Sequence, residues 1–316
     1  MDYWNDKRIL LTGGTGFLGS HLLKKLVEER GVNPSRIRLP RSSSCDLRFI
    51  ENCKRAVKNI DIVIHLAARV GGIEYNRTHP GSLFYDNASM GLNILEAARQ
   101  EGVKKIVTTG SVCAYPKNAP FPAKEEHLWL GYPEESNAAY GLAKKIILVQ
   151  SQAYRAQFDF NSIYLFLANL YGPGDKFDQK GSHVIPALIL KMTEAVEKQL
   201  KEITLWGSGR ATRDFLYVKD AAEGILQAIE NYDKSEPVNL ASCREISIRN
   251  LSEIIKNYVG FVGEIFWDTS RPNGQHRRLF DISRARREFN FNPETTLEEG
   301  LKETVKWYHE HRTDVN

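Results

Sequence analysis

The sequence has few cysteines, no long hydrophobic run and little net charge, and each absence excludes a class of protein. Four cysteines in 316 residues are too few for a disulfide framework and lack the spacing of a metal site. No apolar run approaches the roughly 18 residues of a membrane-spanning helix. The excess of 43 basic over 39 acidic residues is too small to indicate nucleic-acid binding, although it suits an anionic small molecule.

These absences predict a cytoplasmic protein with reduced thiols, no membrane segment, no nucleic-acid partner and no metal. The first residues lead directly into a predicted strand, which leaves no room for a signal peptide.

Strands alternate with helices in the first half of the chain. Apolar runs predict strands at residues 8–12, 36–40, 61–67, 105–109 and 162–167. Helical periodicity predicts helices at residues 17–29, 83–99 and 140–156. The alternation indicates an α/β fold with a Rossmann-type, doubly wound parallel sheet.

After residue 171 the alternation ends. Further helices are predicted at residues 186–200, 221–230, 248–259 and 297–309, among scattered strands. We therefore expect a Rossmann domain at residues 1–171 and a smaller α/β lobe at residues 172–316. Some segments of the lobe are expected to return to the first domain.

A glycine-rich turn, TGGTGFLG at residues 12–19, follows the first strand and opens the first helix. In that context Gly13 permits a tight turn, Gly16 lets the backbone approach a pyrophosphate, and Gly19 lets helix and strand pack closely. The helix N-terminus offers free N–H groups to the phosphates. The turn therefore predicts a dinucleotide site. The residues expected to line it are Gly13, Thr15, Gly16, Phe17, Leu18, Gly19, Arg41, Ser42, Asp46, Leu47, Leu66, Ala67, Ala68, Asn87, Tyr140 and Lys144.

The loop after the second strand favours NADP(H) over NAD(H). An NAD site usually has an acidic residue there for the ribose 2′-hydroxyl, and residues 39–44 contain none. Arg41 is suited to a 2′-phosphate, and Ser42 adds a hydroxyl donor. Asp46 and Leu47 are expected to flank the adenine. The alternative is a solvated arginine in a serine-rich loop, which would leave NAD(H) open.

Ser111, Tyr140 and Lys144 have the spacing of a site that reduces a carbonyl. Tyr140 and Lys144 lie four residues apart and share one helix face. An adjacent ammonium stabilises a phenolate, so Tyr140 is expected to donate a proton to a carbonyl oxygen while hydride reaches its carbon. Ser111, at a strand end, is expected to hydrogen-bond the same oxygen.

Cys113 and His183 are candidates for further proton transfer. Taken singly, such a cysteine is more often a small buried hydrophobe, and such a histidine a satisfied hydrogen-bonder. Strand-like alternation, however, is expected to point Ser111 and Cys113 to one face. Thiol and imidazole, with ordinary pKa values near 8.5 and 6.5, suit proton transfer at a carbon next to a carbonyl.

TGGTGFLG, GSVCAYP (110–116) and YGLAK (140–144) together resemble the extended short-chain dehydrogenase/reductase family of nucleotide-sugar epimerases, dehydratases and reductases. Further segments are similar to members that act on GDP-linked 4-keto sugars: HLAARVGGI (65–73), NLYGPGDKF (169–177), SHVIPAL (182–188), LWGSGRATRDFLYVKD (205–220) and RPNGQHRRLFD (271–281). The resemblance implies epimerisation of GDP-4-keto-6-deoxy-D-mannose, or a close GDP-4-keto sugar, at C3 and C5. Reduction of the C4 ketone with NADPH follows.

The resemblance also implies roles for individual residues. Cys113 and His183 become the base and acid of the epimerisations, in an order left open, while Ser111, Tyr140 and Lys144 serve the reduction. Residues expected to bind the substrate are Asn169, His183, Val184, Lys191, Trp206, Arg213 and Arg271. Lys191 stands where the resemblance leads us to expect an arginine. Arg210, Arg277 and Arg278 are expected to be solvated.

The resemblance further implies a homodimer, with helices 83–99 and 140–156 of two chains forming a four-helix bundle. Two alternatives stay open at this point. One is an NAD-dependent nucleotide-sugar epimerase, of 4-epimerase or 3,5-epimerase type, that retains its cofactor. The other is a non-catalytic NADP-binding regulatory protein.

Overall fold

The computed structural model describes residues 3–178, 182–271 and 275–315. Its strands are β1 (Ile9–Thr12), β2 (Ile37–Arg38), β3 (Ile62–His65), β4 (Lys105–Ser111), β5 (Ser162–Leu167), β6 (Asn169–Tyr171), β7 (Glu202–Trp206), β8 (Thr212–Tyr217), β9 (Val238–Leu240), β10 (Glu245–Ser247) and β11 (Glu264–Asp268). Its α-helices are α1 (Phe17–Glu28), α2 (Ile50–Val57), α3 (Ile73–Thr78), α4 (Pro80–Glu101), α5 (Ala138–Phe158), α6 (Val184–Glu197), α7 (Val218–Asn231), α8 (Ile248–Val259), α9 (Ser283–Phe289) and α10 (Leu297–Val315).

A six-stranded parallel sheet, in the order β2-β1-β3-β4-β5-β9, forms the centre of the molecule. Its inner strands are continuous runs of buried residues, as a sheet covered on both faces requires. The predicted α/β class and the parallel, doubly wound sheet are confirmed. The strand order reverses between β1 and β3, and such a switch point is where α/β sheets bind ligands at the carboxyl ends of their strands.

The helices around this sheet form two groups. Helix α1 packs against α7, while α4 packs against α2 and α5. Helix α2 was not predicted, because its buried side chains, Cys53, Ala56 and Val57, form a stripe too short to reveal a helical period. The strand predicted at 36–40 is reduced to the two residues of β2.

The rest of the chain builds a second apolar cluster. It contains buried residues of α6, α8 and α10, together with a three-stranded sheet (β10-β8-β6) and a parallel pair (β11-β7). Strand β9 belongs to the large sheet, and buried residues of β9 and α9 form part of the first apolar cluster. The domain boundary at residue 171 stays a prediction. Within the described ranges, no helix combines the length and the apolar character needed to span a membrane.

Candidate functional site

A cavity of about 2150 Å³ opens at the carboxyl ends of β1, β3 and β4. Cavities for a single small ligand are about 300–1,000 Å³, so this one has room for two. Most of the predicted site residues line it: Gly13, Thr15, Gly16, Phe17, Leu18, Gly19, Arg41, Ser42, Asp46, Leu47, Leu66, Ala67, Ala68, Ser111, Cys113, Tyr140, Lys144, Asn169, His183, Val184, Lys191, Trp206 and Arg213.

Two predicted residues are not part of the cavity wall. The side-chain amide of Asn87 donates to the carbonyl oxygens of Leu83 and Arg69 and accepts from the Arg69 N–H, so it braces the loop after β3. Arg271 lies outside the wall with its guanidinium 5.1 Å from the ring centre of Trp206. Residues 272–274 of the RPNGQHRRLFD segment lie outside the described residues.

The glycine-rich turn has the geometry that a dinucleotide pyrophosphate needs. Gly13 has a φ of 71°, and a Cβ on Gly19 would stand 2.1 Å from the Gly13 carbonyl oxygen. Helix α1 begins after Gly16 with no side-chain cap and no acidic residue in its first turn. Its N-terminal N–H groups are therefore available to an anion. These residues fit a dinucleotide cofactor.

The loop after β2 leaves Arg41 and Ser42 exposed at the cavity edge. Among the described residues, Arg41 forms no ion pair with a carboxylate. Asp46 is different, because its carboxylate is 2.6 Å from the guanidinium of Arg48, which lowers the pKa of Asp46.

An ion-pair chain that the sequence did not reveal continues from Arg48. Arg48 pairs with Asp86 at 3.0 Å, and Asp86 pairs with Arg69 at 2.6 Å. All three side chains line the cavity. The chain joins the loops after β2 and β3 to α4, and only the fold brings those distant segments together.

Ser111 and Cys113 both face the cavity, but not for the predicted reason. Strand β4 ends at Ser111, and residues 112–114 form a single turn of 3-10 helix. The Ser111 hydroxyl accepts a hydrogen bond from the Cys113 N–H at 3.2 Å. Strand-like alternation is therefore wrong as the explanation, since a capped turn carries Cys113 back towards the cavity.

Tyr140 and Lys144 lie on α5 beside this turn. The Lys144 ammonium donates to the Thr109 carbonyl oxygen at 3.0 Å, and burial lowers the pKa of Lys144 to about 8. Burial also raises the pKa of Tyr140, with the nearby Cys113 adding to the shift. The expected stabilisation of the Tyr140 phenolate by Lys144 is therefore not what this structure indicates. Tyr140 stays protonated, which suits a proton donor.

Gly141 explains how closely α5 approaches the turn. A Cβ at this position would stand 2.6 Å from the Cys113 carbonyl oxygen. Glycine therefore permits Tyr140 and Cys113 to share one corner of the cavity.

Arg278 is the largest departure from expectation among the side chains. It was expected to be solvated, yet its side chain is only 7% exposed and lines the cavity. Its Nη1 lies 3.5 Å from the Cys113 sulfur. Its neighbour Arg277 is exposed and pairs with Glu245. A buried and an exposed arginine side by side cannot be distinguished from sequence alone.

His183 is exposed at the N-terminus of α6 and lines the cavity. Asp175 is buried in the preceding loop, and burial raises its pKa to about 6, opposed by the charge of His183. Among the described residues, no group of three or more metal-binding side chains is present.

Arg213 and Lys191 bring positive charge to the same cavity. Burial and the nearby Arg278 charge lower the pKa of Arg213 to about 10. Burial also lowers the pKa of Lys191. Trp206 lines the cavity and is 63% exposed, with the Arg271 guanidinium over its indole ring.

The comparisons with known proteins agree with one another. The model of the NAD dependent epimerase/dehydratase family matches residues 9–241. A GDP-L-fucose synthase from Sinorhizobium fredii is 38% identical over 306 residues, 96% of this chain and 95% of that protein. A crystal structure of a GDP-L-fucose synthetase from Naegleria fowleri bound to NADP superposes with a TM-score of 0.87 at 30% identity, covering 99% of this chain and 97% of that one. A GDP-6-OMe-4-keto-L-xylo-heptose reductase from C. jejuni has a TM-score of 0.89 at 27% identity, covering 96% and 98%.

Proposed function

The chain belongs to the NAD dependent epimerase/dehydratase family, and on that premise we propose that it catalyses the reaction of the GDP-L-fucose synthases. GDP-4-keto-6-deoxy-D-mannose, or a close GDP-4-keto sugar, is epimerised at C3 and C5 and reduced at C4 with NADPH. The observation that carries this proposal is the meeting of Ser111, Cys113 and Tyr140 in a cavity that also contains the glycine-rich turn.

NADP(H) is the proposed cofactor. Arg41 is free of carboxylate partners among the described residues, and residues 39–44 around it contain no acidic residue for a ribose 2′-hydroxyl. The Naegleria fowleri relative is bound to NADP. The glycine-rich turn and the N-terminus of α1 hold the pyrophosphate, Arg41 and Ser42 the 2′-phosphate, and Lys144 the nicotinamide ribose.

The epimerisations rest on the acidity that a C4 ketone gives to its neighbours. A carbanion at C3 or C5 is an enolate with its charge on the C4 oxygen, so a single oxyanion site serves both carbons. Ser111 and Tyr140 donate hydrogen bonds to that oxygen. Cys113 and His183, which both line the cavity, remove a proton from one face of the sugar and return one to the other.

The reduction uses the same oxygen. NADPH, when bound, supplies the hydride that C4 accepts. Tyr140 gives its proton to the C4 oxygen, since burial keeps that phenol protonated. Ser111 holds the oxygen in place.

The GDP portion of the substrate is proposed to lie in the outer part of the cavity. Arg213 and Lys191 bind the diphosphate from the wall, and Arg271 approaches it from the rim. Trp206 offers its exposed face to the nucleotide or the sugar. Lysine in place of the expected arginine at position 191 keeps the positive charge but cannot form the bidentate hydrogen bonds that arginine makes with a phosphate.

The two alternatives are not favoured. A cofactor-retaining 4-epimerase does not need an acid–base pair such as Cys113 and His183. Against a cofactor-retaining epimerase of either type, the full-length relatives at 33–38% identity include several GDP-L-fucose synthases. A non-catalytic role leaves the combination of Ser111, Tyr140 and Lys144 without a purpose. A GDP-linked heptose stays a second candidate substrate, because a GDP-heptose reductase has the same fold.

We also propose a homodimer built from α4 and α5. Exposed apolar side chains on these helices are Phe84, Tyr85, Ile146, Val149 and Phe158. Their burial against a second copy removes apolar surface from water. The cytoplasmic location stays a prediction.

One reaction tests the function directly. The protein is incubated with GDP-4-keto-6-deoxy-D-mannose and NADPH in heavy water, and the product is analysed by NMR. We expect GDP-L-fucose carrying deuterium at C3 and C5. Absence of both NADPH consumption and exchange would contradict the proposed substrate and direct the search to other GDP-4-keto sugars, beginning with heptoses.

A pair of cysteine variants tests the epimerase role in the same assay with NADPH left out. Cys113→Ser is expected to lower exchange at C3 and C5 by about a hundredfold, the effect of losing a positioned acid–base group. Cys243→Ser is the control, since Cys243 is partly buried and does not line the cavity. Equal exchange in both variants contradicts the role of Cys113.

A further inference from the structure

Arg278 is held in a defined position by three contacts. Its backbone N–H donates to the Thr212 carbonyl oxygen at 3.1 Å. Its Nε donates to the Gln275 side-chain oxygen at 2.8 Å, and its Nη1 points at the Cys113 sulfur from 3.5 Å. Gln275 is itself tied to the Lys117 carbonyl oxygen at 3.3 Å. Because both the backbone N–H and the Nε of Arg278 are held by hydrogen bonds, the guanidinium has a fixed orientation, with its Nη1 directed at the Cys113 sulfur.

In the part of the chain that the structure describes, neither this buried cation nor the neighbouring Arg213 forms an ion pair with Asp or Glu. Buried charges in proteins are normally paired, so an anion is expected at this place. Two anions could lie at this place: the thiolate of Cys113 and the diphosphate of the proposed substrate.

The position of Arg278 favours the thiolate. A thiol sulfur is a weak acceptor, whereas a thiolate is a charged one that a guanidinium stabilises strongly. The Cys113 N–H is fixed by Ser111, so the sulfur and the guanidinium approach each other from two rigid supports.

Resting on the function proposed above, we propose that Arg278 is a positioning residue for epimerisation. Its guanidinium holds the Cys113 sulfur as a thiolate, aimed at the sugar. In the step that follows, the thiolate takes a proton from C3 or C5 and becomes a thiol, while the electron pair of the broken C–H bond moves into the enolate.

Other charged or titratable groups face Cys113 as well. Arg213 on β8 adds a second positive charge, and Glu134 lies close enough to Arg213 to oppose it. Tyr140 on α5 faces the sulfur as a neutral phenol. Of the groups named here, two are positive and one is negative, so the charge around Cys113 favours an anion at this place.

The test measures alkylation of Cys113 by iodoacetamide as a function of pH, in the free protein, with the modified peptide quantified by mass spectrometry. Because only the thiolate reacts, Arg278→Gln is expected to slow alkylation at pH 7 by about tenfold and to move the profile about one unit towards high pH. Arg278→Lys, which keeps a charge, is expected to stay within about threefold of the wild type. Arg277→Gln is the matched control, because Arg277 is exposed and pairs with Glu245.

Solvent exchange at C3 and C5 is then measured with the same variants. We expect exchange in Arg278→Gln to fall by the same factor as alkylation, with the KM for the GDP-sugar little changed. An unchanged alkylation profile together with a raised KM overturns the proposal, since it assigns Arg278 to the diphosphate. If the Gln variant fails to fold, Gln275→Ala serves the same purpose, because it removes the acceptor that holds the Arg278 Nε. Alkylation at pH 7 is then expected to slow, and an unchanged rate also overturns the proposal.

Alkylation needs no substrate, so this test is separate from that of the proposed function. The wild-type protein could fail to convert GDP-4-keto-6-deoxy-D-mannose and still show a pH profile of Cys113 alkylation that depends on Arg278. That result would refute the proposed substrate but would support the pairing of Arg278 with Cys113.

Discussion

At the scale of single residues, burial shifts the pKa values of Tyr140 and Lys144 in opposite directions. Burial penalises charge, so it raises the pKa of the phenol and lowers that of the ammonium. Tyr140 therefore remains a proton donor, while Lys144 becomes a cation that titrates near neutral pH. The Thr109 carbonyl oxygen accepts a hydrogen bond from that cation and fixes where its charge lies.

The pKa of Lys144, about 8, predicts a pH dependence for the reduction. Lys144 carries its proton below that pH and loses it above, so kcat/KM is expected to fall as pH rises through about 8. Lys144→Arg, which keeps its charge at every pH, is expected to have lower activity without this decline. Lys145→Arg is the control, since the Lys145 ammonium donates to the Leu128 carbonyl oxygen and faces away from the reaction. A decline near pH 8 that persists in Lys144→Arg would refute the assignment.

At the scale of secondary-structure elements, close approach between backbones sets the shape of the site. Helix α1 comes so near to the turn after β1 that only a hydrogen fits on Gly19. Helix α5 approaches residues 112–114 in the same manner at Gly141. The two contacts place the cofactor turn and the reacting side chains at the same edge of the sheet.

Gly19→Ala tests the first of these contacts. The added methyl would collide with the Gly13 carbonyl oxygen, which is backbone and cannot rotate away. Overpacking of this kind costs about 1–3 kcal/mol, and about 1.4 kcal/mol is tenfold in affinity. We therefore expect the Kd for NADPH to rise about tenfold or more, as measured by fluorescence titration. Gly81→Ala is the control, because nothing lies within 4 Å of a Cβ at that position. Equal Kd values for the two variants contradict this account of the turn.

At the scale of the whole molecule, segments far apart in sequence are joined around the cavity. Asp214 on β8 accepts hydrogen bonds from the Ser242 N–H and hydroxyl and from the Cys243 N–H. The chain between these residues includes α7, whose buried residues belong to the first apolar cluster, and β9, which is a strand of the large sheet. Asp214 therefore connects the strand that carries Arg213 to the part of the chain returning from that sheet.

The proposed dimer is a prediction at this scale. Val149 lies on α5 and is 50% exposed, one helical turn after the exposed Ile146. Val149→Arg places a charge in an apolar interface, so we expect it to convert the dimer to a monomer of 36.0 kDa by light scattering. Val262→Arg, at a side chain that is 96% exposed, is expected to leave the mass unchanged. A wild-type protein that is monomeric at every concentration removes the proposal.

Local sequence patterns are sufficient to predict the fold class and to propose most of the site residues. Those features depend on local patterns: glycines between a strand and a helix, apolar runs of strand length, and a tyrosine four residues before a lysine. Each pattern can be recognised in the sequence because its residues are neighbours along the chain.

The remaining features of the site depend on contacts between distant segments, which exist only in the folded chain. The tertiary structure buried Arg278 beside Cys113 while leaving Arg277 in solvent, and it joined Arg48, Asp86 and Arg69 into one chain of ion pairs. It also assigned Asn87 to bracing a loop and replaced an expected strand by the turn that carries Cys113. Burial and pairing depend on segments that meet only when the chain is folded. No local pattern shows which of two adjacent arginines will line the cavity and which will face solvent.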